Sequence, residues 1–187
     1  PAGSRVGLYL HALLEELDFT AQLPEQAAAL HGTLAPRYGL DVDLHRNTVC
    51  YWMEQVTGTA LGDGDFCLAD IPCSRRLNEL AFDFSVDVMD MSALNSDLAA
   101  LAGHQLQPIE VQDFRGLVTG VIDLVFEHEG RFYLADYKSN FLGGNLDDYR
   151  KESLEQAVLD RRYDVQYLLY SLALHRYLQY RLAGYDY

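Results

Sequence analysis

The 187-residue sequence predicts a fold that mixes helices and strands on three observations. Apolar residues recur at helical spacing near both ends, a central segment alternates apolar and polar residues, and two β-prone runs flank a short polar turn. Residues 4–18 read as an amphipathic helix through Val6, Leu10, Leu13, Leu14 and Leu17. Pro24 opens a second, alanine-rich helical stretch that ends near Arg37 to Gly39. A third covers 43–60, with Val49, Trp52, Met53 and Val56 on one side. Gly62-Asp63-Gly64-Asp65 marks a turn. Leu80-Ala81-Phe82-Asp83-Phe84-Ser85-Val86 alternates as a half-buried strand does, and 92–102 reads as a short helix starting from Ser92. The β-prone runs, 117–126 and 131–137, predict a hairpin across Glu127-His128-Glu129-Gly130. Segments 146–160 and 163–182 predict two closing helices. No internal repeat, low-complexity tract or linker interrupts the chain, so a single domain is expected over 1–187.

Composition narrows the function. Apolar residues make up 49% and charged residues 22%, the balance of a folded chain with a core. No run approaches the roughly 18 apolar residues that cross a bilayer, so no membrane role is expected. A signal-peptide pattern is also missing. Cys50, Cys67 and Cys73 are odd in number and form no CxxC pair, which fits a reducing cytoplasm better than a disulfide framework. The net charge of −14 is unfavourable for phosphate binding, which draws on Lys and Arg. The imbalance is uneven, however: residues 1–114 hold 5 basic and 17 acidic side chains, residues 115–187 hold 9 and 11. Any phosphate-binding surface is therefore expected in the last third, with weak intrinsic affinity.

The hairpin carries the chemistry. With 127–130 as the loop, Asp123 faces Leu134, and Leu134, Asp136 and Lys138 share its face because side chains alternate with a period of two. Asp123 and Asp136 then become diagonal neighbours beside an ammonium. A loop one residue longer or shorter would separate them, so the inference depends on register. Two close carboxylates repel unless a cation lies between them. A few hard oxygen ligands favour Mg²⁺, which can polarise a phosphodiester and lower the pKa of a water. The plainer alternative is a surface hairpin with exposed ion pairs of little consequence. His11 sits at the border of the first helix's apolar stripe, beside Gly7, which leaves it space. It reads either as a structural residue or as an imidazole completing a carboxylate metal site. In the last helix Tyr163, Gln166, Tyr170, Ala173 and Tyr177 line one stripe, and Val165, Leu169 and Leu172 the adjoining core face. Gln166 and Tyr170 suit phosphate bonding or base stacking as well as an ordinary helix face.

These residues resemble a known family. Gly120-Val121-Ile122-Asp123, then Asp136-Tyr137-Lys138-Ser139, then Gln166-Tyr167-Leu168-Leu169-Tyr170 resemble the PD-(D/E)XK nuclease signature with the QxxxY motif of its RecB-type branch. Residues 136–143 and 162–177 look like the C-terminal nuclease domain of exodeoxyribonuclease V beta subunits, and residues 7–19 resemble the helix carrying that family's metal-binding histidine. The resemblance is strong over 5–19 and 115–187 and looser between. It implies a restriction-endonuclease-like α/β core, a central mixed β-sheet flanked by helices. It also implies metal ligands at His11, Asp123, Asp136 and the backbone carbonyl of Tyr137, with Mg²⁺ as cofactor and Mn²⁺ as an acceptable substitute. Lys138 becomes the catalytic lysine beside Asp123 and Asp136, and Gln166 and Tyr170 support the site or contact DNA. Glu79, in Asn78-Glu79-Leu80-Ala81-Phe82, is an additional acidic candidate, although its segment favours a plain strand-edge glutamate.

The implied function is metal-dependent exonucleolytic hydrolysis of DNA in a RecBCD-like helicase–nuclease of the bacterial cytoplasm, serving double-strand break repair and recombination. RecC-like and RecD-like subunits are the implied partners through a longer chain. This chain would be its nuclease fragment, stopping before a final C-terminal segment. No helicase motif is present in it, and a motor that threads DNA to the site would offset the acidic charge. The alternative is a catalytically silent module that docks the recombinase RecA.

Overall fold

The computed structural model describes residues 4–62, 64–102, 108–110 and 114–186. Its helices are α1 (Ser4–Glu16), α2 (Leu23–Leu34), α3 (Val42–Gly58), α4 (Met91–Ala102), α5 (Lys151–Asp160) and α6 (Tyr163–Arg181). The strands β1 (Arg76–Met89), β2 (Phe114–His128) and β3 (Arg131–Ala135) form a three-stranded antiparallel sheet in the order β1-β2-β3. The fold is thus α/β, a sheet flanked by helices, and no parallel strand pair occurs among the described residues. Two compact units divide the chain, Pro1–Leu80 with Ile122–Phe141 and Ala81–Val121 with Leu142–Tyr187. None of the described helices is long and apolar enough to cross a membrane.

The first unit is built on α1 to α3. Pro24 lies in the first turn of α2, where its missing N–H costs nothing. A 3₁₀ turn, Ala35–Tyr38, follows α2 and closes on Gly39, whose φ of 66° is the left-handed cap that glycine supplies cheaply. Asp41 caps α3, its carboxylate accepting from the N–H groups of Asp43 (2.9 Å) and Leu44 (2.8 Å). The buried stripe of α3 is Val49, Met53 and Thr57. Trp52 and Val56, expected on that stripe, are 48% and 39% exposed. Thr57 takes the inner position because its hydroxyl bonds the Met53 carbonyl at 2.7 Å, which removes the cost of burying it. Tyr9, Leu13, Leu14, Leu17, Phe19, Leu124 and Phe126 complete a continuous core. At its centre His31 is fully buried. Its Nε2 donates to the Val42 carbonyl (2.9 Å), so Nδ1 is left to accept from the Tyr9 hydroxyl (2.5 Å). One imidazole therefore ties α1, α2 and the start of α3 together.

In the second unit Asp90 caps α4, accepting from the N–H groups of Ser92 (2.9 Å) and Ala93 (3.0 Å), so the helix begins at Met91 rather than Ser92. Asn95 bonds both the N–H and the carbonyl of Ile109. The helix expected over 146–160 is two pieces, a 3₁₀ turn Leu146–Tyr149 and α5. Asp148 accepts the Asn145 N–H and tightens that turn, and Arg150 is extended (ψ 160°), which breaks the helical path. The buried face of α6 is Ala173, Leu174 and Leu178; Leu172, expected in the core, is 41% exposed. A slightly rotated stripe satisfies the same 3.6-residue period, so periodicity alone does not choose between them.

Candidate active site

The hairpin brings the chemistry together. Leu124 pairs with Ala135, Phe126 with Tyr133 and His128 with Arg131. The loop is therefore only Glu129-Gly130, not the four residues 127–130. Glu129 (φ 50°) and Gly130 (φ 78°) are both left-handed, as a two-residue type I′ turn requires. Glu127 helps close it, its Oε1 accepting the Gly130 N–H at 2.7 Å. The register differs from the expected one by two residues, a full strand period, so every side chain stays on its expected face. The same register carried one step further sets Asp123 opposite Asp136 rather than diagonal to it.

Around Asp123 the distances are short. Its Oδ2 accepts the Tyr137 N–H at 2.7 Å and lies 3.5 Å from His11 Nδ1. The Tyr137 ring stands edge-on to the His11 imidazole, 5.8 Å between centroids at 90°. Lys138 Nζ forms an ion pair with Asp136 Oδ2. Glu79 joins them. One ligand atom each from His11, Glu79 and Asp123 lies within 4.8 Å of the others, so this glutamate, exposed on the edge strand β1, also belongs to the cluster. Its backbone is left-handed (φ 50°) inside β1, a departure that alternation does not foretell. Asp136 is not one of that group of three. Gly7 also differs from expectation: a Cβ there would stand 2.7 Å from Ser139 Oγ, so the space beside α1 is filled by the residue after Lys138.

The electrostatics follow from this crowding. Burial raises the Asp123 pKa above the usual carboxylate range; the Tyr137 N–H opposes the shift and the charge of Asp136 adds to it, while His11 and Lys138 pull it back. Glu79 is raised by burial first, then by Asp123 and Glu15, with His11 opposing. Both acids are thus only partly compensated for negative charge. An imidazole nitrogen and two carboxylates at this spacing are a donor set for a divalent cation, which would supply it.

Gln166 and Tyr170 belong to the second unit. Gln166 Nε2 donates to the Tyr170 hydroxyl at 2.8 Å, and Tyr170 meets the Phe82 ring edge-on at 5.6 Å. Both line a cavity of about 940 Å³ with Phe82, Val118, Leu159 and Leu169. Gly120 also lines it, and a Cβ there would stand 2.5 Å from the Phe82 ring. At the start of α6, Arg162 holds a left-handed backbone (φ 55°) and grips the buried Asp164 with Nε and Nη2 at 3.1 and 3.2 Å. Sequence reasoning overlooked Arg76 and Asn78, which bond the end of α1. The only signal was their i, i+2 spacing at the start of a strand.

Comparison with known proteins places the chain in a family. The family described as the PD-(D/E)XK nuclease superfamily matches residues 72–184. Over its whole length the chain is 36% identical to the RecBCD enzyme subunit RecB of Haemophilus influenzae and 34% identical to that of Escherichia coli K12. It is 30% identical, also over its whole length, to the subunit of the same name from Mycolicibacterium smegmatis. The chain spans 15%, 16% and 20% of those three relatives.

Proposed function

Because the chain belongs to the PD-(D/E)XK nuclease superfamily, we propose that it is a Mg²⁺-dependent exodeoxyribonuclease module, with both units acting as one nuclease domain. The observation that carries this reading is the convergence of His11, Glu79 and Asp123 within 4.8 Å, from segments far apart in sequence. The proximity of two carboxylates whose pKa values are both raised supports a cation between them. His11, Glu79 and Asp123 hold the ion, with Asp136 and the backbone carbonyl of Tyr137 as further ligands; Mn²⁺ substitutes for Mg²⁺. When bound, such an ion supplies positive charge against the phosphodiester and acidifies water. Lys138 is held beside Asp136 and presents its ammonium where negative charge builds on phosphorus. From the second unit Gln166 and Tyr170 contact the DNA strand, and the cavity they line receives it.

The relatives are named as subunits of the RecBCD enzyme, which supports the same setting here: a longer helicase–nuclease chain, RecC-like and RecD-like partners, and a role in double-strand break repair in the bacterial cytoplasm. A motor that delivers DNA accounts for a nuclease of net charge −14. A silent module that docks RecA is the competing reading; a docking surface does not need Asp123, Asp136 and Lys138 together.

Titration of Mg²⁺ or Mn²⁺ into the wild-type chain and the Asp123→Ala, Asp136→Ala double variant tests the site. Saturable binding in the wild type alone is expected. Cleavage of single-stranded DNA should fall by about a hundredfold or more in Lys138→Ala at unchanged melting temperature. Undiminished cleavage by Asp136→Ala would refute the assignment.

A further inference from the structure

The last carbonyls of a helix have no partner within it. α1 has no basic residue in its last turn to answer them. The answer comes from the start of β1. Arg76 Nη2 donates to the carbonyl of Leu17, the residue that follows α1, and the Arg76 guanidinium lies 3.7 Å from the centroid of the Phe19 ring. Asn78 Nδ2 donates to the Glu15 carbonyl at 2.5 Å. Residues 76 and 78 share a strand face, so the two side chains grip the helix end as one clamp.

Glu15 lies one helical turn beyond His11, on the same face of α1. Asn78 holds the backbone of Glu15, and its neighbour Glu79 brings its carboxylate to His11. A regular strand would point consecutive side chains to opposite faces, and only one of the two would reach α1. The left-handed backbone at Glu79 breaks that alternation. Such a conformation in a non-glycine residue persists where the surroundings over-determine it. Tyr137 connects the same parts: its ring meets His11 edge-on and its phenol lies in the field of Arg76.

We infer that Arg76 and Asn78 are positioning residues, which hold the C-terminal end of α1 and so set His11 against Glu79 and Asp123. Neither donates to the ion itself. The inference rests on the proposal that His11 is a metal ligand, and its test separates the two.

The test is Mn²⁺ binding to the whole chain, with the nitrogen modulation of the bound ion's electron spin echo as the direct readout of His11. His11→Ala identifies the His11 nitrogen signal. Asn78→Ala and Arg76→Ala should raise the Mn²⁺ Kd about tenfold or more and weaken that signal. Arg76→Lys, which keeps a donor for the Leu17 carbonyl, should restore part of both. Met53→Ala is the control for general destabilisation, since it opens the core in α3 away from the clamp, and it should keep the nitrogen signal. Full signal and wild-type Kd in Asn78→Ala and Arg76→Ala would overturn the clamp while leaving His11 as a ligand. An equal loss of signal in Met53→Ala would also overturn it. A wild-type spectrum identical to that of His11→Ala would remove His11 from the metal, and the clamp's role with it. Because Asn78 makes only one bond to α1, its variant keeps the test decisive if Arg76→Ala does not fold.

Discussion

Among the described residues, the two units bury apolar side chains very unequally. Residues 1–80 with 122–141 hold the continuous core, from Tyr9 and Leu13 through Met53 to Leu124 and Phe126. Among the described residues of the other unit, only Met91, Ala173, Leu174 and Leu178 are buried apolar side chains. That unit leaves Leu146, Tyr167 and Tyr180 largely open and contains the cavity lined by Gln166 and Tyr170. The difference suits the two tasks proposed above. The proposed metal donors, drawn from α1, β1 and β2, meet only if the packing between those elements is close and unyielding. A surface that receives a flexible polymer needs room and adaptable contacts instead, and a thin core supplies them.

The largest test of this contrast is a pair of leucine truncations. Leu13 is fully buried, and Leu13→Ala should cost about 2–5 kcal/mol in urea denaturation. Leu172→Ala, at a position 41% exposed, should stay within about 0.5 kcal/mol. Equal losses would mean that the second unit packs as tightly as the first. Gly120→Val comes next. Its Cβ would collide with Phe82, so overpacking should cost about 1–3 kcal/mol and push that ring into the cavity. The expected signature is weaker DNA binding with unchanged Mn²⁺ affinity; a loss of metal binding as well would show that the substitution also disturbs the first unit. The smallest effect belongs to the hairpin. Glu129→Gly should stabilise the first unit by up to about 1 kcal/mol, because Glu129 pays the left-handed backbone cost that glycine avoids. A lower melting temperature in that variant would mean that the Glu129 side chain contributes more than its backbone strain costs.

The comparison also separates what was legible from what was not. The pairing of Asp123 with Asp136 and Lys138 was readable because a strand's two-residue period survives an error of two in register. The turn itself was misread: Gly130 suits a tight left-handed turn, but Glu129 gives no local sign of sharing it. His11 was found at the edge of a helical stripe. Glu79 was named only as a weak candidate, because alternation describes regular strands and its left-handed backbone is an exception to them. Trp52 and Leu172 were placed inward by apolar character, although packing partners chose Thr57 and Leu174 instead.

By itself, then, the sequence determined where helices and strands form in outline and, to within a slight rotation, which face of each is apolar, since capping and periodicity act over a few residues at a time. It also determined the hairpin's carboxylates and lysine, which lie close along the chain. Only the tertiary structure decided that Glu79 meets His11, that Arg76 and Asn78 hold the helix carrying it, and that His31 locks three helices together. Those contacts join residues that no short-range period relates, and they form only when burial of the shared core has brought their elements side by side.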